Sequence, residues 1–138
     1  MNLNTTITND SPLLFYVPQS LWYQAPPNDV LLSSYETQSY HATNGSQGQG
    51  SVSFSFTGTG IWLYGGYRTT LGAYTVVLDG EAFSQDGYHA GDPEQANYVL
   101  FGNNNLTSNQ HTVQLINTSE DPARNVLDIS QVCSRVLR

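Results

Sequence analysis

Apolar and polar residues alternate with a period of two along much of this chain. No window sustains the 3.6-residue apolar spacing of an amphipathic helix. The clearest run, Ser51-Val-Ser-Phe-Ser-Phe-Thr57, sets Val52, Phe54 and Phe56 on one face and small hydroxyl residues on the other. Such alternation predicts a strand with one face buried. Gly58-Thr-Gly60 punctuates the run, and residues 61–64 resume as a second strand. There Ile61 and Leu63 are core candidates, Tyr64 is expected to pack, and Trp62 is open to either role. Gly65 and Gly66 follow, and they predict that the strand leaves the sheet before Tyr67 and Arg68.

Residues 73–78 read as a third strand, closed by Asp79-Gly80, a strong hairpin signal. Strands are also expected at 97–101 and 111–116, separated by the turn-rich GNNNLTSN, and at 126–132 as one closing strand. Weaker candidates lie at 13–17, 30–32 and 39–43, and Gln47-Gly-Gln-Gly50 fits a loop. Eight or nine short strands rich in β-branched and aromatic residues predict an all-β, antiparallel β-sandwich. No linker, tandem repeat or second domain interrupts residues 1–138, so one domain is expected.

Composition narrows the partners. Charged residues are only 11%, lysine is absent, and the net charge is −7 with a pI near 4.5. Phosphate backbones and anionic membranes would be repelled, which argues against nucleic acid. The stretch LLFYV is too short for a signal core and no run approaches a membrane span, so no membrane insertion by this segment is expected. The chain reads as a cytosolic protein or as an excised mature domain. Five sequons, at Asn4, Asn9, Asn44, Asn105 and Asn117, favour an extracellular or cell-surface location. Cys133 is the only cysteine, so no internal disulfide or thiolate metal cluster can form; it reads as a small buried hydrophobe.

No G-x-S-x-G elbow, phosphate-binding glycine loop or H-E-x-x-H is present, and no catalytic residue is assigned. His41, His89 and His111 lack ligand-like spacing for zinc, and His111 reads as a strand residue. Asp79, Glu120 and Asp121 sit in expected turns, while Asp86, Asp92 and Glu94 share one long loop. Binding suits the residues better. A neutral sugar is recognised by stacking its apolar face on an aromatic ring and satisfying its hydroxyls with amides, carboxylates and arginine. The chain carries nine Tyr, five Phe and two Trp, several in or near loops. Tyr67, Tyr88 and Trp22 are the candidate stacking surfaces, although Trp22 equally reads as a cap on the core. Arg68, His41, Asp86 and His89 are the candidate hydrogen-bonding groups.

At FTGTGIWLYGGYRTTLGAYTVVLDG the chain resembles the extracellular jelly-roll domains of mushroom-forming fungi. These belong to the galactose-binding-domain-like fold and are similar to carbohydrate-binding modules. The resemblance rests on Tyr40-His41, Phe56 to Gly60, Tyr64-Gly65, Arg68, Gly72-Ala73-Tyr74 and Leu78-Asp79-Gly80. It continues through Val99-Leu100-Phe101, His111-Thr112-Val113, Leu115, Asn117-Thr118 and Leu127-Asp128-Ile129, covering about residues 10–132. It implies a jelly-roll fold. With the aromatic and polar candidates above, the expected function is lectin-like, non-catalytic binding of a glycan or glycoprotein. Individual protein–sugar contacts are modest, so single-site affinity is expected on the order of micromolar to millimolar unless the protein is multivalent. Two departures stand out. The family's Asn-His pair is replaced by Thr70 and Leu71, and its Asp-Asp run is reduced to Asn9-Asp10. The second departure weakens the case for a structural calcium shared with Asp128; no other cofactor is implied. Two alternatives stay open: an adhesive ectodomain making protein or self contacts, as in a homo-oligomer, and a glycan-active enzyme on the same fold.

Overall fold

A computed structural model of the chain describes residues 2–137. It holds twelve strands, numbered β1 to β12 along the chain, in three antiparallel sheets. The first sheet orders β1 (Asn2–Thr8), β12 (Gln131–Leu137), β6 (Gly60–Tyr67) and β9 (Gln95–Asn103). The second orders β2 (Phe15–Val17), β5 (Ser51–Gly58), β10 (Asn109–Asn117), β7 (Tyr74–Leu78) and β8 (Glu81–Gln85). A small third sheet orders β11 (Val126–Ile129), β4 (His41–Asn44) and β3 (Trp22–Gln24). The two larger sheets enclose a core in which Val52, Phe54, Phe56, Val113, Leu115 and Val76 meet Ile61, Leu63, Leu100 and Val132. This is an antiparallel β-sandwich of jelly-roll type.

The period-two reading of β5 holds residue by residue, and Ile61 and Leu63 are buried while Trp62 and Tyr64 are half-buried on the opposite face of β6. The Arg135 guanidinium sits 5.3 Å over the Trp62 ring, which covers that ring with a cation rather than with the core. The Asp79-Gly80 hairpin also forms. Asp79 accepts from the Thr112 N–H, and His111 bonds Asp79 through Nδ1 and the Thr107 carbonyl through Nε2. Both ring nitrogens face acceptors, so these contacts raise the imidazole pKa, the Thr107 carbonyl most and Asp79 next.

Several expected elements differ. Strands β1, β3 and β8 were not anticipated, because each is short or polar and is held by its neighbour's ladder rather than by its own pattern. Residues 30–32 form no strand: Asp29 Oδ1 accepts from the Leu31 N–H and a single 3₁₀ turn, Leu32–Ser34, follows. The closing run divides at Ser130 into β11 and β12, which belong to different sheets; the Ser130 N–H and hydroxyl both donate to the Tyr64 carbonyl.

The glycine pair does not end β6. The strand runs on to Tyr67 through register shifts on either side of Tyr64 and Gly65, and Tyr67 is buried. The glycines are needed because β11 crosses directly over β6. A Cβ on Gly65 would lie 2.1 Å from the Asp128 carbonyl oxygen, and one on Gly66 would lie 2.3 Å from the Tyr35 hydroxyl and 2.6 Å from Asp128 Oδ2. Gly65→Ala is therefore expected to cost about 3 kcal/mol or more of stability in urea denaturation. A loss within about 0.5 kcal/mol would show that the crossing is looser than described.

Candidate functional site

The third sheet forms one side of a cleft with charged walls. Its register aligns Tyr23 with Ala42 and Ala42 with Asp128, so these three share one face, while Trp22, Thr43 and Leu127 share the other. Trp22 and Leu127 enter the main core. Tyr23 is consequently turned outward and is 42% exposed.

An ion pair fills one wall. Arg68, just past the end of β6, donates from Nη1 and Nη2 to the two carboxylate oxygens of Asp29 at 2.5 and 2.9 Å. The Tyr40 hydroxyl donates to the same carboxylate. The Arg68 bond, with help from Tyr40 and the Leu31 N–H, holds the Asp29 carboxyl well below the usual carboxylate range. Asp128 behaves oppositely. Its Oδ1 accepts from the Gly66 N–H at 2.7 Å and its Oδ2 from the Tyr35 hydroxyl at 3.0 Å. Burial nonetheless pushes its carboxyl up to about 6, against those two bonds and the Arg68 charge. Burial likewise raises the Tyr35 and Tyr40 phenols. Tyr23, Asp29, Tyr40, Arg68 and Asp128, with Pro26, Thr70, Leu71 and Val126, surround a cleft of ≈ 240 Å³.

The seven expected ligand residues do not form one site. Arg68 lies in this cleft. Trp22 and His41 lie at an adjoining hollow with Tyr16 and Gln24. Tyr67, Asp86 and His89 line a third, of ≈ 130 Å³, together with Tyr98. The expectation of exposed stacking rings at Trp22, Tyr67 and Tyr88 is corrected, because all three are buried. Trp22 meets Tyr16 edge-on at 4.9 Å. The Tyr67 hydroxyl donates to Asp92 and accepts from the His89 N–H, while Tyr88 packs on Tyr67 and donates to the Asp92 carbonyl. These phenols tie the 86–94 loop to β6. His41 is half-buried, stacked on Tyr16, and its Nδ1 bonds Asn9 Oδ1 at 2.7 Å. Asp86 and His89 are exposed.

Two sequons are corrected in the same way. Asn9 is buried with its amide donating to Ser39 and to the Ser130 carbonyl. Asn117 is buried with its amide donating to the carbonyls of Thr43 and Asn125. Neither amide is free to carry a glycan in the fold, whereas Asn4, Asn44 and Asn105 are exposed. The calcium suggested for Asp10 and Asp128 does not suit these donors. The two carboxylates line different hollows, and both Asp128 oxygens already accept protein hydrogen bonds. Among the described residues no group of three or more His, Cys, Asp or Glu is placed to hold a metal ion.

Sequence reasoning missed Tyr23, Asp29 and Tyr40 as site residues, and named Asp128 only for the calcium. One signal was available: strand alternation makes Trp22 and Tyr23 face opposite ways, so an inward Trp22 implies an outward Tyr23. Nothing local marks Asp29, which reads as an ordinary turn former in Pro-Pro-Asn-Asp.

No protein-family model matches the sequence, and no curated protein is similar to it at a significant level. Solved structures share its fold. A family two carbohydrate esterase from Cellvibrio japonicus superposes with a TM-score of 0.64 at 16% identity, over 99% of this chain and 35% of the esterase. A two-domain esterase active on acetylated mannans gives 0.65 at 11% identity, over 98% of this chain and 37% of that one. The chain thus spans little more than a third of either esterase. The CBM36-1 domain of a multidomain xylanase from the hindgut metagenome of Trinervitermes trinervoides gives 0.53 at 16% identity, over 95% of both chains. The likeness establishes a carbohydrate-binding-module-like jelly-roll fold.

Asp128 holds its proton to higher pH in the fold than in the unfolded chain. Its contribution therefore favours folding on the acid side and is lost as pH rises through about 6. Asp128→Asn, which keeps one acceptor for Gly66 and a partner for Tyr35, should be the more stable protein at neutral pH, by roughly 1–3 kcal/mol. Urea denaturation across pH would show a flatter profile for the variant above the ordinary carboxylate range. An unchanged profile would mean that Asp128 is not ionising inside the fold.

Proposed function

We propose that the protein is a non-catalytic carbohydrate-binding module, lectin-like in action, whose ligand is a neutral glycan, free or on a glycoprotein. The cleft carries this reading: an exposed aromatic ring, Tyr23, stands beside rigidly held polar groups on Asp29, Arg68, Tyr40 and Asp128. A pyranose could lay its apolar face on Tyr23 and direct hydroxyls at the Arg68 guanidinium, whose hydrogen bonds are the stronger, charge-assisted kind. Asp29 and Arg68 offset each other's charge, so the cleft offers no unpaired cation for a uronate. The net charge of −7 further disfavours polyanions. The fold agrees with the reading, since a domain of a xylanase and a mannan-active esterase both contain it. The exposed sequons at Asn4, Asn44 and Asn105 support an extracellular or cell-surface location.

One observation favours a second reading. Two carboxyl groups in one cleft are pushed apart, Asp29 held ionised and Asp128 held protonated to about 6, as in an acid–base pair. Against hydrolysis, Arg68 and Tyr40 occupy the Asp29 oxygens, and Asp128 is buried with both oxygens bonded. Incubation with mannan, xylan and β-1,3-galactan, followed by assay for new reducing ends, separates the two; none is expected.

Tyr23→Ala is expected to weaken binding to the polysaccharide it retains best by roughly tenfold. Affinity electrophoresis in gels containing those three polysaccharides measures it, with Leu3→Ser, an exposed residue on β1, as a surface control. A folded Tyr23→Ala protein that migrates as the parent does in every gel would overturn the reading and favour an adhesive domain.

A further inference from the structure

The Asp29–Arg68 cleft is one of two hollows divided by a single side chain. Tyr23 lines both. Beyond it lies a hollow of ≈ 280 Å³ bounded by Tyr16, Gln19, Trp22, Gln24 and His41. Building on the carbohydrate-binding reading, we propose that the ligand is a linear neutral glycan of at least two units. Consecutive units sit on either side of Tyr23.

The second hollow has the chemistry of a sugar site in its own right. No side chain of fixed charge lines it. Its wall is an aromatic stack: Tyr16 lies against His41 at 4.6 Å with the rings nearly parallel, and against Trp22 edge-on. Gln24 is exposed at the end of β3 and offers both a donor and an acceptor. His41 is oriented for the same purpose. The Asn9 amide nitrogen is spent on Ser39 and Ser130, so its oxygen must accept from His41 Nδ1–H. The neutral ring then leaves Nε2 as an acceptor, and burial lowers its pKa, which keeps it neutral. The two hollows differ in kind, one lined by an ion pair and a buried carboxyl, the other by amides and aromatic edges. Tyr23 and Gln24 are neighbours on one strand, with side chains on opposite faces of its pleat. β3 is an edge strand of its sheet, so a ligand that spans both hollows passes over that edge. A monosaccharide can fill only one of them.

Trp22 lines the second hollow and not the first, so its fluorescence reports occupancy there. The experiment uses Trp62→Phe, which leaves Trp22 as the one indole, titrated with mannose, mannobiose and mannotriose and with the corresponding xylan and β-1,3-galactan series. Isothermal titration supplies the affinities. For the series that binds, the disaccharide should bind at least tenfold tighter than the monosaccharide and change Trp22 emission. Gln24→Ala should lower affinity for the disaccharide several-fold. Equal affinity for one and two units would overturn the two-unit site and leave the carbohydrate-binding reading standing. Length dependence with silent Trp22 and no effect of Gln24→Ala would place the second unit elsewhere and also overturn it. Failure of every sugar to bind would overturn both.

Discussion

The crossing of β11 over β6 is the constraint on which the rest of the site depends. Two glycines allow the backbones to approach until the Asp128 carbonyl sits where a Gly65 side chain would begin. That approach carries the Asp128 carboxyl into the interior, where it is 4% exposed. Burying a carboxyl costs several kcal/mol unless it is bonded or neutralised. Here the Gly66 N–H and the Tyr35 hydroxyl bond it, Arg68 lies near, and protonation relieves the remainder at low pH. The same contacts seat the third sheet on the sandwich, and with it the row that ends in Tyr23.

Charge is used sparingly and locally. The chain has only four cations, and Arg68 is spent on Asp29 in a two-pronged pair that also takes the Tyr40 hydroxyl. Such a part-buried pair contributes little net stability, because desolvation offsets much of its attraction. Its effect is positional: it locks the 26–31 loop to the end of β6 and holds a donor and an acceptor in fixed places. Two buried amides bind polar groups elsewhere in the interior. Asn9 binds the Ser130 carbonyl and Asn117 those of Thr43 and Asn125, joining the end of β1 and β10 to the third sheet and its flanking segments.

Aromatic residues divide by topology rather than by neighbourhood. Tyr67 and Tyr88, which the glycines and loop residues around them suggested were exposed, instead pack together and anchor the 86–94 loop through Asp92. Tyr23 has no distinguishing local sequence, yet it is the ring that faces solvent beside the ion pair.

By itself the sequence determined the strand character of β5, β6, β7, β9 and β10, the hairpin at Asp79-Gly80, and the inward faces carrying Val52, Phe54, Phe56, Ile61 and Leu63. The pleat imposes a period of two, and turn residues mark its ends, so both signals are local. Only the tertiary structure decided that Gly65 and Gly66 mark a crossing and not a strand end, that two sequon asparagines are structural, and that Trp22 points in while Tyr23 points out. It alone brought Asp29 to Arg68 across 39 residues and Asp128 to Gly66 across 62. A glycine that frees the backbone for a turn and one that admits a neighbouring strand look identical in sequence, because the difference lies in a second segment far along the chain.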